Sequence, residues 1–170
     1  MKARYSQYPH WEGLKKSKDD EQSISEAIIA GGGALNESLD ASGEWSGIIC
    51  DGVYGDTLVF GDLIYLNEAD QRWEKTDADA EATAGDVMLG MALESGTDGQ
   101  TKKIFLYGYI RLDTWNFTSY GHTLYVSCTA GEMTQTRPNE AGDIVRVVGY
   151  VHDDADTIFF NPSGTWIEVA

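Results

Sequence analysis

From Trp45 onward, short apolar runs alternate with breaks rich in glycine and acid. The runs fall at 45–50, 57–66, 71–76, 86–93, 102–112, 123–128, 143–151, 156–161 and 165–169. Each has the length of a strand and carries β-branched and aromatic residues. Runs of this length and spacing predict an all-β body, an antiparallel β barrel or sandwich. The last runs, from Asp143 to His152 and from Asp156 to Val169, are joined by the acidic turn Asp153-Asp154-Ala155-Asp156. They tie the C-terminal end of the sequence into the sheet.

The breaks share a chemistry. Gly-Asp precedes three runs, at Gly61-Asp62, Gly85-Asp86 and Gly142-Asp143, and Gly55-Asp56 stands before a fourth. Glycine admits the positive φ of a tight turn, and the aspartate carboxylate can accept nearby backbone N–H groups. The stretch Thr76–Ala84 is polar and alanine-rich with no hydrophobic face, which predicts an exposed loop with at most a helical turn.

Upstream of Trp45 the pattern changes. Ser23-Ile-Ser-Glu26 has the spacing of a capping box, and Ile24, Ala27 and Ile28 follow at helical spacing, which predicts a short helix over 23–30. Gly31-Gly-Gly33 ends it, and residues 31–44 read as a linker or long loop. Residues 1–18 place Tyr5, Tyr8 and Trp11 among Arg4, Lys15 and Lys16, with Pro9 interrupting any helix. This predicts an extended arm that a partner orders. Residues 1–44 are thus arm and linker, and 45–170 the folded domain.

Composition sharpens this. A chain of 170 residues with 42% hydrophobic residues suits one domain with a real core. The net charge of −16 is uneven: residues 1–18 hold five bases against one acid, and residues 19–101 hold two bases against nineteen acids. Such acidity argues against nucleic acid as a partner, because phosphates would be repelled. Neither a signal-peptide core nor a membrane-spanning apolar stretch is present in the sequence, so cytoplasmic synthesis is expected, with Cys50 and Cys128 reduced. Asn36-Glu-Ser38 and Asn116-Phe-Thr118 match the glycosylation pattern, which carries weight only in a secreted chain.

No catalytic motif stands out. Ser127, His122 and Asp153 offer the residue types of a triad without a nucleophile elbow, and His10 lies in the arm. Asp77, Asp79 and Glu81, and Asp153, Asp154 and Asp156 beside His152, are acid-rich but lack the spacing of a calcium loop. The two distant cysteines give no zinc pattern. The expectation is therefore no enzyme, no cofactor and no metal. Trp115-Asn-Phe-Thr-Ser-Tyr120 sets Trp115, Phe117 and Tyr120 among polar groups. Such a cluster serves a subunit interface or stacks on a sugar, the former being the commoner use.

An ordered series of segments adds a resemblance: Gly61-Asp-Leu-Ile-Tyr-Leu66, Trp73 with Lys75, Ala78–Ala84 leading to Gly90-Met-Ala-Leu93, Leu106-Tyr-Gly-Tyr-Ile110, Leu124-Tyr-Val-Ser127 with Thr129-Ala-Gly131, Arg146-Val-Val-Gly-Tyr150, and Asp156-Thr-Ile-Phe-Phe-Asn-Pro162 with Trp166. Over about three quarters of its length the chain resembles a β-rich module of capsid decoration (cement), head-fibre and tail-fibre proteins of tailed bacteriophages. The resemblance implies a virion structural protein, a homotrimer on the outer capsid surface, with the major capsid protein as partner. The arm residues Arg4, Tyr5, Tyr8, Trp11, Lys15 and Lys16 are then expected to anchor it. The alternative is a head- or tail-fibre domain that binds a host surface glycan. A hydrolase with paired carboxylates is a third class, but no pattern picks out two acids.

Overall fold

The computed structural model describes residues 35–170, and its compact unit runs from Asn36 to Ala170. The expected helix over 23–30 and the arm lie outside the described residues. The body is nearly all β. Its strands are β1 (Trp45–Val53), β2 (Leu63–Leu66), β3 (Trp73–Lys75), β4 (Leu89–Ala92), β5 (Thr101–Arg111), β6 (Thr123–Val126), β7 (Met133–Thr134), β8 (Ile144–Val151), β9 (Thr157–Phe160) and β10 (Trp166–Glu168). They form one curled antiparallel sheet in the order β3-β2-β4-β5-β9-β8-β6-β7, with β1 added on β5 and β10 on β8. β7 was not anticipated; two residues are too few for a period to show.

The long strand β5 organises the sheet. On one side it pairs with β1 from Thr101 to Ile110; on the other it pairs first with β4 and then with β9. In the β1 register Ile48 faces Tyr107 and Ile49 faces Phe105, so Leu106 is left without a partner. This bulge reverses which face each later residue of β5 presents. Before it, Phe105 points to the concave side and Ile104 to the convex side. After it, Gly108 and Ile110 point inward and Tyr107 and Tyr109 outward.

The main core fills the concave side. Leu63, Met91, Phe105, Ile110, Leu124, Val126, Ile144, Val148, Ile158 and Phe160 are each fully buried there. Phe160 is flanked in register by Gly108 and Gly149, and Gly108 is flanked by Gly47. A methyl group at Gly108 would meet the Ser46 carbonyl oxygen at 2.2 Å, and its φ of +129° is one that side chains resist. A second, smaller core of Tyr54, Leu58, Ile64, Trp73, Ala92 and Ile104 closes part of the convex side.

The turns show why the glycine signal was readable. Gly61 and Gly142 have φ of +91° and +94°, and the carboxylates of Asp62 and Asp143 accept the N–H of Val59 and Glu140, each three residues upstream. The same construction recurs where the residue after glycine is Glu44 or Gln100, whose side chains accept the N–H of Ala41 and Thr97. The motif is therefore glycine at the third turn position followed by a side-chain acceptor, of which Gly-Asp is one version. Gly85 departs from it. Its φ is −78°, and glycine is needed because a Cβ would meet the Glu81 carbonyl oxygen at 2.7 Å.

Two expectations are corrected in part. Thr76–Ala84 is exposed only in part: Asp79, Glu81 and Ala82 face solvent and the helical turn allowed for there is present at Glu81–Ala84, but Thr76, Ala78 and Ala84 are fully buried. The small side chains let the backbone itself reach the core. Ala78 N–H donates to the Ser127 carbonyl and its own carbonyl accepts from Ile144 N–H. The buried Arg146 of β8 then donates to the carbonyls of Ala84, Gly85, Val87 and Ser163. Residues 36–44, read as a linker or long loop, are a loop docked on the body. Leu39 is buried, its carbonyl accepts from Arg111 Nη1 at 3.0 Å, and Gly43 N–H donates to the Arg111 carbonyl at 2.9 Å.

Candidate interaction face and ligand cleft

Beyond the bulge, the convex side of β1, β5, β9 and β8 carries a row of apolar side chains. Tyr109 lies opposite Phe159, and Phe159 opposite Tyr150; on the other flank Ile48 lies opposite Tyr107. Residues in direct register share a face, so these side chains stand on one surface. Their rings confirm it. Phe159 packs edge-on against Tyr107, with centroids 5.2 Å apart, and in a tilted arrangement against Tyr109 at 5.0 Å. Ile48 is 58% exposed and Tyr150 42%. No loop among the described residues closes this half as Tyr54, Leu58 and Trp73 close the other.

The rim of this face is charged. His152 stacks edge-on against Tyr109 at 4.9 Å, its Nδ1 lies 2.7 Å from Asp153 Oδ1, and its Nε2 lies 3.6 Å from Glu37. Burial pushes the Tyr109 phenol up, and Glu37 adds to the shift. Beside it, Asp154 accepts from Asp156 N–H, from both Thr157 N–H and Thr157 Oγ1, and from Arg111. Burial alone would raise the Asp154 carboxyl; these donors outweigh it and hold the group below its ordinary range. The acid-rich turn is thus a structural clasp that joins β8 to β9. Asn36 N–H donates to Ser46 Oγ at 2.8 Å, and Ser46 lies opposite Tyr109, so the described chain enters the body at the edge of the aromatic face.

A cleft of about 410 Å³ opens elsewhere, between the turn at 59–62, the loop at 112–117 and the turn at 131–133. Trp115 and Phe117 line it, with ring centroids 5.9 Å apart, together with Phe60, Met133, Asp62, Thr114 and Glu132. Asn116, between the two aromatics, has a φ of +53°, uncommon for a residue with a side chain. The loop is braced from β9's approach: Asn116 N–H donates to Asp156 and Phe117 N–H to the Ala155 carbonyl. Tyr120, grouped with them in sequence, does not line the cleft and is 55% exposed.

The remaining candidates separate. Asp153 pairs with His152 and not His122, and Ser127 Oγ accepts from Thr129 N–H, so the triad's residue types are engaged elsewhere. Cys50 and Cys128 are both free. Burial, followed by Asp51, pushes the Cys50 thiol up against the opposing pull of Lys103. Cys128 is pushed up to about 12, chiefly by its hydrogen bond to Asp79 and then by burial. Protonated thiols are poor nucleophiles. Asp79, Cys128 and Asp143 do bring ligand atoms within 4.8 Å of one another, a grouping that sequence spacing does not reveal. Asp77 Oδ1 accepts from Asp79 N–H as part of the turn before the short helix. The arm residues Arg4, Tyr5, Tyr8, Trp11, Lys15 and Lys16, and His10, lie outside the described residues.

Sequence reasoning missed the aromatic face because the residues sit on strands that already looked like core. The signal was present in Leu106-Tyr-Gly-Tyr-Ile110 and Ile158-Phe-Phe160, where apolar residues occupy both parities of a strand. No helix among the described residues is long and apolar enough to cross a membrane. No protein-family model matches the chain, and no curated protein matches it.

Proposed function

We propose that this protein is a structural component of a tailed-phage virion, seated on the outer capsid surface as a homotrimer and clamping neighbouring capsomers. The observation that carries the assembly role is the open aromatic face of Ile48, Tyr107, Tyr109, Tyr150 and Phe159. Ile48 and Tyr150 are exposed and the three rings between them are half-buried; an apolar surface left open in this way marks a protein contact, and aromatic residues supply most of the energy at such contacts. The occupant is a neighbouring copy: in a closed ring each copy offers this face to a different surface of the next. The likeness of the segment order to decoration and fibre modules supplies the particle. The acidic body faces solvent, and the basic aromatic arm, Arg4 to Lys16, contacts the major capsid protein. Many copies on one lattice make a weak single contact effective.

The test is electron microscopy of particles made with and without the protein, with heat-induced DNA release measured on both. Trimeric density at capsomer junctions and earlier release from particles lacking it are expected. Density on a fibre, with unchanged release and lost host adsorption, replaces this reading with the fibre alternative.

A further inference from the structure

We infer that the cleft formed by Phe60, Trp115, Phe117, Asp62, Thr114 and Glu132 is a binding site for a neutral pyranose sugar. This goes beyond the assembly role and stands or falls separately from it, since the cleft shares no lining residue with the aromatic face.

Four observations point to this ligand class. At about 410 Å³ the cleft falls at the small end of ligand sites, which run from about 300 to 1,000 Å³, and so suits a small ring better than a long chain. Its wall is half-buried aromatic surface: Trp115 and Phe117 pack against the core on one side and line the cleft on the other. A pyranose presents one face of C–H groups that stacks on such a wall. Its rim carries acceptors. The carboxylates of Asp62 and Glu132 and the hydroxyl of Thr114 match a ring of hydroxyl donors. Finally, no lysine or arginine among the described residues lines the cleft. Lys75, the cation nearest Asp62, is paired with it at 3.3 Å. An acidic sugar would meet the exposed carboxylate of Glu132, with Lys75 already engaged by Asp62, on a body that carries most of the chain's acids. The charge pattern therefore selects neutral sugars against uronic and sialic acids.

The site is pre-formed. Asp62 is fixed by the N–H of Val59 and by Lys75. Gly61 allows the tight approach, because a Cβ there would meet Leu112 at 2.6 Å and the Trp115 ring at 3.4 Å. Asn116, in its left-handed conformation, sits between Trp115 and Phe117, and Asp156 and Ala155 hold it there. Backbone strain held by its surroundings is a mark of functional loops.

The experiment is an NMR titration of the isotope-labelled full chain, following the Trp115 indole N–H. The probes are methyl glucoside, methyl galactoside and N-acetylglucosamine, with glucuronate and N-acetylneuraminate as acidic counterparts. Saturable shifts at Trp115 are expected with at least one neutral sugar at millimolar concentration, and none with the acids. Trp115→Ala, followed by the backbone amides of Gly61 and Phe117, which also line the cleft, should weaken binding about tenfold, in line with the loss of one stacking contact. Glu132 makes no side-chain hydrogen bond to another described residue and is exposed, so Glu132→Gln should weaken binding with an unchanged melting curve, which keeps the test valid if Trp115→Ala fails to fold. Tyr120→Ala should leave binding unchanged. The inference is overturned if no neutral sugar shifts Trp115 up to tens of millimolar, if the acidic sugars bind as well, or if binding survives Glu132→Gln and Trp115→Ala unaltered.

Discussion

The convex side of the sheet divides in two along β5. In its first half, Ile104 lies beneath Tyr54, Leu58 and Trp73 and is fully buried. In its second half, Tyr107 and Tyr109 stand with Phe159 in a face that remains partly open. Both halves are apolar, and both belong to one strand. The difference is local: the chain returns over the first half through the segment after β1 and the turn before β3, and no described segment covers the second. An apolar surface covered by its own chain supports stability, whereas one left open is available for association. The bulge at Leu106 is the switch between them, since it turns Tyr107 and Tyr109 outward while Gly108 and Ile110 keep the core closed.

The largest expected contrast is between truncations on the two halves. Trp73→Ala, at a side chain 4% exposed, should cost about 3–5 kcal/mol, the usual range for a buried aromatic. Phe159→Ala should cost about 1 kcal/mol, a typical value for a partly exposed site. Urea unfolding of both variants checks this, and equal losses would erase the distinction between a second core and an open face. Gly108→Ala comes next. Its Cβ has no room beside Ser46 and its φ is positive, so the loss should exceed about 1 kcal/mol. A neutral result there would show that β1 and β5 do not approach as closely as described.

The smallest effect is at the rim. Asp154 is held below its ordinary pKa, so its contribution is fully present above the unfolded-state value and fades as pH falls through the lower folded value. Because the side chain is 40% exposed, solvent screening limits the gain to roughly 0.5 kcal/mol or less. Asp154→Asn should therefore lower the melting temperature slightly at neutral pH and make no difference in strong acid. A constant deficit at all pH values would point to packing instead of charge.

How much of this was legible in the sequence follows from which physical rule governs each part. The strands were readable because period and turn chemistry are local: Gly61-Asp62 and Gly142-Asp143 mark real turns, and every run from 45 onward contains a strand or an isolated bridge. The segment Thr76–Ala84 was misread in part because its burial depends on Arg146, a partner on a distant strand, and small alanines give no hydrophobic period. Trp115 and Phe117 were found as a pair, but Asp62 and Glu132 join them only through the folded topology. The open face was hidden by the bulge, since a single unpaired residue changes which parity faces out.

Sedimentation velocity of the full chain, run over a range of concentrations beside Tyr107→Ser/Phe159→Ser, tests most directly whether the open half is a subunit contact. The account predicts a trimer for the wild type and a monomer for the double variant, with closely similar circular dichroism and melting curves. A wild-type protein that stays monomeric at every concentration, or a double variant that remains trimeric, contradicts it.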